Sequence, residues 1–336
     1  MLAVSSVADH RILVAGASGY AGALAAELVD RHPALDLAAA TSRSDAGQRL
    51  SALYPQYRCD AVLEELALGA HGELDGAIVA YPHGASAPVV AELRAAGVPV
   101  VDLSADFRLS DQSVYEQWYV PHTASELLEG AVYGLPERNR EQIKGAGLVA
   151  NPGCYPTASV LALAPLAPFI SDVVIDAKSG VSGAGRGASD VTHFVSVDEN
   201  VKPYGVGQHR HMPEIDQELA LAGASDLTVT FTPHLVPLDQ GELVSCYVTL
   251  SESVDINALY AAAYDGEQFV QVVDHLPGVR EVRGTNLCRI NVSLDERTGK
   301  AFVFAVIDNL WKGAASQALQ NLNLMLGLPE EQGIEL

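Results

Sequence analysis

The chain has 336 residues, 49% of them apolar, with 20 basic against 42 acidic side chains and a net charge of −22. Its length exceeds one ordinary core, so two domains are expected. The acidic balance excludes a nucleic-acid surface, where phosphate neutralisation needs lysine and arginine, and a basic face for an anionic membrane; small anions remain admissible, because a local island of positive charge or a helix N-terminus is enough to hold them.

Met1 to His10 has neither the basic start nor the apolar core of a signal peptide. No run approaches the roughly 18 apolar residues of a membrane span, and the longest candidate, 160–170, is broken by Pro165 and Pro168. The four cysteines, at 59, 154, 246 and 288, form no C-x-x-C pair. Scattered free thiols fit a reducing cytoplasm, and no metal site is expected.

In chain order, 11–16 is a short apolar run ending in glycine and predicts a buried strand. Gly16-Ala17-Ser18-Gly19-Tyr20-Ala21-Gly22 follows, and 21–29 has the small and apolar spacing of a helix. A second strand is predicted over 35–41. Strand, glycine turn, helix and strand together open a dinucleotide-binding domain. The G-x-x-G-x-x-G spacing departs from G-x-G-x-x-G, so the context carries that reading more than the motif. Gly16, Ser18, Gly19, Tyr20 and Gly22 are the candidate pyrophosphate contacts. The second strand ends in Thr41-Ser42-Arg43-Ser44. A guanidinium and two hydroxyls suit a 2′-phosphate, so Ser42, Arg43 and Ser44 predict NADP(H) over NAD(H), with Asp45 the one dissonant neighbour. A strand over 76–80, a helix over 85–96 stopped by Gly97, and a strand over 98–102 continue the alternation and predict a parallel sheet with helices on both faces.

The character changes at Cys154. Strands are predicted over 173–179, 227–233, 242–250, 287–294 and 301–307, and helices over 154–167, 213–222 and 256–264. This is an α+β domain on a mostly antiparallel sheet. The last helix, 310–326, shows one apolar stripe through Leu310, Ala314, Ala318, Leu322 and Met325. The fold class is therefore α/β, with a Rossmann NADP-binding domain followed from Cys154 by an α+β domain on a mostly antiparallel sheet.

Asn151-Pro152-Gly153-Cys154-Tyr155-Pro156-Thr157 places one thiol after a turn and at the start of a helix. Unpaired N–H groups and the positive end of the helix dipole favour thiolate there, and a thiolate attacks activated acyl groups. The other reading is a small buried cysteine in a helix cap.

These segments resemble the N-acetyl-γ-glutamyl-phosphate reductase family of arginine biosynthesis, a relative of aspartate-semialdehyde dehydrogenase, over almost the whole length. The resemblance rests on the glycine turn, Asp102-Leu103-Ser104-Ala105-Asp106-Phe107-Arg108, Tyr133-Gly134-Leu135-Pro136-Glu137 and the Cys154 segment. It continues in Ser179-Gly180-Val181-Ser182-Gly183-Ala184-Gly185-Arg186, His209-Arg210-His211-Met212-Pro213-Glu214-Ile215 and Asp308-Asn309-Leu310-Trp311-Lys312-Gly313-Ala314. It implies Cys154 as nucleophile, a histidine of the His-Arg-His segment as acid/base, NADP(H) as cofactor, a last helix that returns to the first domain, so that a Rossmann NADP-binding domain takes 1–153 and 309–336 and a catalytic and dimerisation domain 154–308, and homodimers or homotetramers.

In an extended segment His209 and His211 point to one side and Arg210 to the other. By analogy with related aldehyde dehydrogenases His211 is the expected acid/base, with His209 the alternate or a substrate ligand. Arg108, then Arg186 and Arg210, with Asn151, are the candidates for the substrate's phosphate and carboxylate. Gly183 lets the backbone approach the ligand, and the Asn309 amide is a candidate for the nicotinamide carboxamide. Two rivals stand beside this reading: a reductase of another acyl phosphate (aspartyl, or carrier-bound aminoadipyl), and an NADP(H)-binding sensor without chemistry.

Overall fold

Strand β1 (His10–Ala15) has four fully buried residues in succession, leads into helix α1 (Tyr20–Arg31), and pairs with β2 (Leu35–Thr41). This is the first unit of a computed structural model that describes residues 10–224 and 226–334. One compact unit runs to Pro152 and resumes at Ala314, and a second spans Gly153–Gly313.

In the first unit α2 (Leu50–Leu53), β3 (Gly76–Val79), α3 (Ala87–Ala95), β4 (Val100–Asp102), α4 (Gln112–Trp118), β5 (Ala131–Tyr133), α5 (Pro136–Ile143) and β6 (Leu148–Ala150) follow. The sheet order is β2-β1-β3-β4-β6-β5 and every pairing is parallel. β3, β4 and β6 are buried along their whole length, which is why they read as unbroken apolar runs without alternation. The helices α4 and α5 escape sequence reading because each is only about two turns long and mostly polar, and β5 because three residues, Ala-Val-Tyr, are too few to show a period.

The second unit opens with α6 (Cys154–Leu163), buried from Tyr155 to its end and packed on β10, β13 and α8. Its predicted extension to Ala167 is a 3-10 turn instead, where Pro165 and Pro168 remove helix donors. Then come β7 (Ile170–Ser179), α7 (Phe194–Val197), β8 (Lys202–Pro203), α8 (Met212–Leu221), β9 (Thr230–Leu235), β10 (Glu242–Leu250), α9 (Ile256–Tyr264), β11 (Val270–Val272), β12 (Cys288–Asp295) and β13 (Lys300–Ile307). The sheet order is β11-β12-β13-β10-β7-β9-β8. This sheet is mixed: β7–β9 and β11–β12 pair parallel. The pairs β12–β13, β13–β10, β10–β7 and β9–β8 are antiparallel, so the expected mostly antiparallel sheet is met in part; period-2 alternation reports which face is buried and not which way a neighbour runs.

The chain re-enters the first unit through a π-helical turn, Trp311–Ala315, and ends in α10 (Ser316–Leu326), which packs on α1 and α5. The single apolar stripe predicted here is not what forms: every residue from Ser316 to Met325 is buried. The polar side is buried because it is hydrogen-bonded. Asn321 Nδ2 donates to Gly134 O and Asn151 Oδ1, and Asn323 Nδ2 to the carbonyls of Glu330 and Gln332. Among the described residues no helix is long and apolar enough to cross a membrane.

Candidate active site

In the first unit the glycine turn divides into two kinds of position. Gly16 has φ +87°, and a Cβ there would lie 2.6 Å from Ala80 O; a Cβ at Gly22 would lie 2.2 Å from Gly16 O. Both glycines are required for the turn to close against the sheet. At Gly19 the nearest atom to a Cβ is Gly16 O at 3.7 Å, an ordinary contact. Gly19 caps α1 with extended backbone, so the fold itself does not require glycine there. The first-turn N–H groups of such a helix lack intrahelical acceptors and point at an anion.

Beside this turn, Ser18 Oγ and Ser42 Oγ are 2.8 Å apart, and Ser42 Oγ accepts from Asp45 N. Arg43 is exposed, its guanidinium 4.7 Å above the Tyr81 ring. Asp45 is buried and accepts from Ser44 Oγ at 2.5 Å and Gln48 Nε2 at 3.4 Å. The dissonant carboxylate is thus engaged locally, while Arg43 stands out on a flat aromatic surface.

The Asp102–Arg108 motif builds a buried acidic turn. Asp102 accepts from Ser86 and Ser104, and burial pushes its carboxyl up to about 6. Asp106 takes Gly84 N, Ala87 N and Tyr115 Oη, fixing the start of α3. Arg108 is buried, with Nε donating to Asn151 O and Nη2 to Leu103 O, both at 2.7 Å. Asn151 is itself tied down: Nδ2 reaches Pro152 O and Ala314 O, and Oδ1 accepts from Asn321. The two residues expected to grip substrate therefore fix the chain that leads into Cys154.

In the second unit Cys154 is the first residue of α6, after a Gly153 cap with no side-chain bond, and is partly exposed. Gly153 N donates to Glu214 Oε1 at 3.0 Å. Glu214 stands in the first turn of α8 and is 1% exposed, so the carboxylate fixes the start of one helix against the other. A Cβ at Gly313 would lie 2.7 Å from Cys154 Cβ, so the π turn carries glycine where the thiol needs room.

His209 and His211 do come together, but not through an extended strand. The segment is a turn into α8, closed by His211 N donating to His209 Nδ1 at 3.2 Å. The ring centroids are 4.9 Å apart and lie 5.6 and 6.0 Å from that of Tyr155, the residue after Cys154. Burial, and then the neighbouring Arg210, push His209 down to about 4. With Nδ1 accepting, the neutral ring carries its proton on Nε2. Arg186 and Arg210 are exposed.

Asn309 is buried, with Oδ1 accepting from Gly241 N at 2.8 Å and Nδ2 donating to Ser182 Oγ at 3.0 Å. A Cβ at Gly183 would approach Ser179 Oγ to 3.2 Å. Lys312 is fully buried, with Nζ 5.5 Å over the Phe269 ring. Among the buried carboxylates, Glu214 and Glu242, which lie beside Cys154, were not singled out as site residues in the sequence. Glu214 had a signal, its place in the His-Arg-His-x-Pro-Glu run. Glu242 had none, because a glutamate at the start of a strand after glycine reads as solvent-facing.

Residues 11–146 match the semialdehyde dehydrogenase NAD-binding domain family and 154–309 the semialdehyde dehydrogenase dimerisation domain family. The chain is 48% identical over 340 residues to the N-acetyl-γ-glutamyl-phosphate reductase of Syntrophobacter fumaroxidans, spanning 97% of this chain and 98% of that protein. It is 50% identical over 337 residues to the enzyme of that name from Desulforudis audaxviator, spanning 96% and 97%. In fold it is similar to aspartate semialdehyde dehydrogenase II of Vibrio cholerae, with a TM-score of 0.75 at 18% identity, covering 95% of this chain and 98% of that one. It is also similar to the aspartate semialdehyde dehydrogenase of Candida albicans solved with NADP, with a TM-score of 0.71 at 16% identity over 95% and 99%. Near-complete coverage at this identity places the chain in the N-acetyl-γ-glutamyl-phosphate reductase family.

Proposed function

We propose that the chain reduces N-acetyl-γ-glutamyl phosphate to N-acetylglutamate 5-semialdehyde and phosphate with NADPH, through a thioester on Cys154, in arginine biosynthesis. The observation that carries this reading is a partly exposed thiol at the first position of α6, next to the tyrosine that both candidate imidazoles pack against. The named relatives supply the substrate.

The first unit, with α10, is assigned to the nucleotide and the second to catalysis and self-association. Gly16, Ser18, Gly19, Tyr20 and Gly22 would hold the pyrophosphate, and Arg43, with Ser42 and Ser44, the 2′-phosphate. NADPH, when bound by these residues, would supply the hydride for the reduction. Cys154 loses its proton and attacks the γ-carbonyl, and phosphate leaves. After reduction the hemithioacetal collapses and frees the aldehyde. N–H groups at the start of α6 stabilise the oxyanion in both halves, about 3 kcal/mol of barrier for one such donor.

His211 is the proposed acid/base. His209 is the less suited of the pair, because its Nδ1 lone pair is engaged and burial opposes its charged form; its Nε2–H is assigned as a donor to substrate. Arg186 and Arg210 are assigned to the substrate's anionic groups, with Arg108 and Asn151 holding the approach to Cys154. Gly183 and Asn309 shape the loop wall, the remaining amide hydrogen of Asn309 being the one for the carboxamide. The active form is a homodimer or homotetramer in the cytoplasm.

The test is to mix the protein with N-acetyl-γ-glutamyl phosphate without nucleotide and weigh it. An acyl group on the Cys154 peptide is expected, with none on Cys154→Ser, whose NADPH oxidation should fall by about three orders of magnitude or more. Equal turnover by the serine variant overturns the covalent route, and preferential acylation by aspartyl phosphate overturns the substrate.

A further inference from the structure

Glu242 is the first residue of β10, at the middle of the second sheet, where its backbone pairs with Ser179 of β7 and Ile307 of β13. The backbone before it is held firmly. Gly241 N donates to Asn309 Oδ1, and a Cβ at Gly241 would lie 2.8 Å from Val279. The side chain is fully buried, and the Cys154 thiol and Ser179 hydroxyl lie against its carboxyl. Cys154 is backed onto the same row of strand ends: the Cβ position at Gly313 that collides with Cys154 is 3.3 Å from Ile307.

We propose that Glu242 is a further positioning residue of this reaction: its carboxyl, held neutral, donates a hydrogen bond to the ionised sulfur of Cys154 and keeps that sulfur charged and aimed. This rests on Cys154 being the nucleophile. Burial pushes Glu242 up to about 8 even though the Cys154 thiol and then the Ser179 hydroxyl favour its charged form, and the charged group that adds to the rise is another carboxylate, Asp308. The remaining titratable groups that face it are Tyr155 and Tyr204, both raised by burial and hence uncharged. Thiol and hydroxyl face the carboxyl, yet among the described residues neither of its oxygens completes a hydrogen bond of regular geometry. A buried O–H without a good acceptor is costly, and a thiolate is a far better acceptor than a thiol.

The thiol proton leaves to the imidazole, and the Glu242 proton stays on Glu242 and is shared with the sulfur. When the thioester forms, the sulfur loses its charge and the contact weakens; when the hemithioacetal collapses, the charge and the contact return.

The test is the pH dependence of Cys154 alkylation by iodoacetamide, followed by intact mass, for wild type, Glu242→Gln and Glu242→Leu. The other three cysteines are buried, so one adduct is read. The leucine variant should react about tenfold more slowly near neutrality, with its half-point moved up by about one pH unit, while glutamine, which keeps a neutral donor, stays within about threefold of wild type. A leucine variant with the wild-type rate and profile overturns the proposal, as does a glutamine variant as slow as leucine. A wild-type Cys154 no faster than free cysteine overturns the nucleophile reading beneath it, and so is told apart from a failure of Glu242 alone. Should the leucine variant not fold, the wild type serves. A protonated-carboxyl infrared band at neutral pH should shift when Cys154 is alkylated and be absent from Glu242→Gln; a band that does not move overturns the proposal.

Discussion

At Gly16 and Gly22 the neighbouring backbone leaves no space for a methyl group, whereas at Gly19 it does. Gly22→Ala is therefore expected to lower the melting temperature, and Gly19→Ala to leave it unchanged while weakening NADPH binding, as read by thermal melting beside nucleotide titration. Equal melting temperatures for both variants would contradict this division of roles. Arg43 carries a different kind of specificity. Arg43→Gln should weaken NADPH by roughly 1.5–3 kcal/mol, about ten- to a hundredfold, with under about a twofold effect on NADH. The histidines separate by what each nitrogen is doing. His211→Gln should cost about 10²–10⁴ in kcat, while His209→Gln, which keeps an N–H donor, should chiefly raise KM; the reverse pattern in steady-state kinetics would exchange their roles. The placement of Cys154 at a helix start and the closeness of His209 to His211 were legible in the sequence because each sits in a short motif beside a turn. Arg108, Asn151 and Asn309 show the limit of that reading, since a motif names a residue without saying whether it faces a ligand or a carbonyl. Glu242 was invisible, because its burial is created by strands distant in the chain.

The elements from 242 to 264 were predicted to the residue, since β10 and α9 each carry a clear period between breakers. The parallel pairings of the second sheet were not legible, because pairing direction depends on where the chain returns. α10 failed in an instructive way. Its glutamines and asparagines promised a wet face and instead bond to Gly134, Glu330 and Gln332. Asn321→Ala should thus cost more than a surface change, about 1–3 kcal/mol for leaving Gly134 O and Asn151 Oδ1 without a donor. Thermal melting checks this, and a neutral substitution would mean water replaces the amide.

Over the whole molecule, charge sets the response to solvent. A net charge of −22 repels itself, so raising ionic strength from about 0.01 to 0.15 M should raise the melting temperature. Glu242 adds a pH dependence whose sign is fixed. Its folded value, about 8, lies above the ordinary 4.5, so the stability it contributes is complete below about 4.5 and is lost as pH rises through about 8. Between about pH 6 and 9 the wild type should lose more melting temperature than Glu242→Gln. Parallel curves would place the group's ordinary value in the folded state.

The distribution of sulfur has a consequence for life in the presence of peroxide. Three of the four thiols are buried and only Cys154 meets solvent. Oxidative damage should therefore strike one atom per chain, halting turnover at the sulfenic acid stage without unfolding. With no second surface thiol to condense with, rescue must come from an outside reductant, and delay commits that atom to irreversible sulfinic acid.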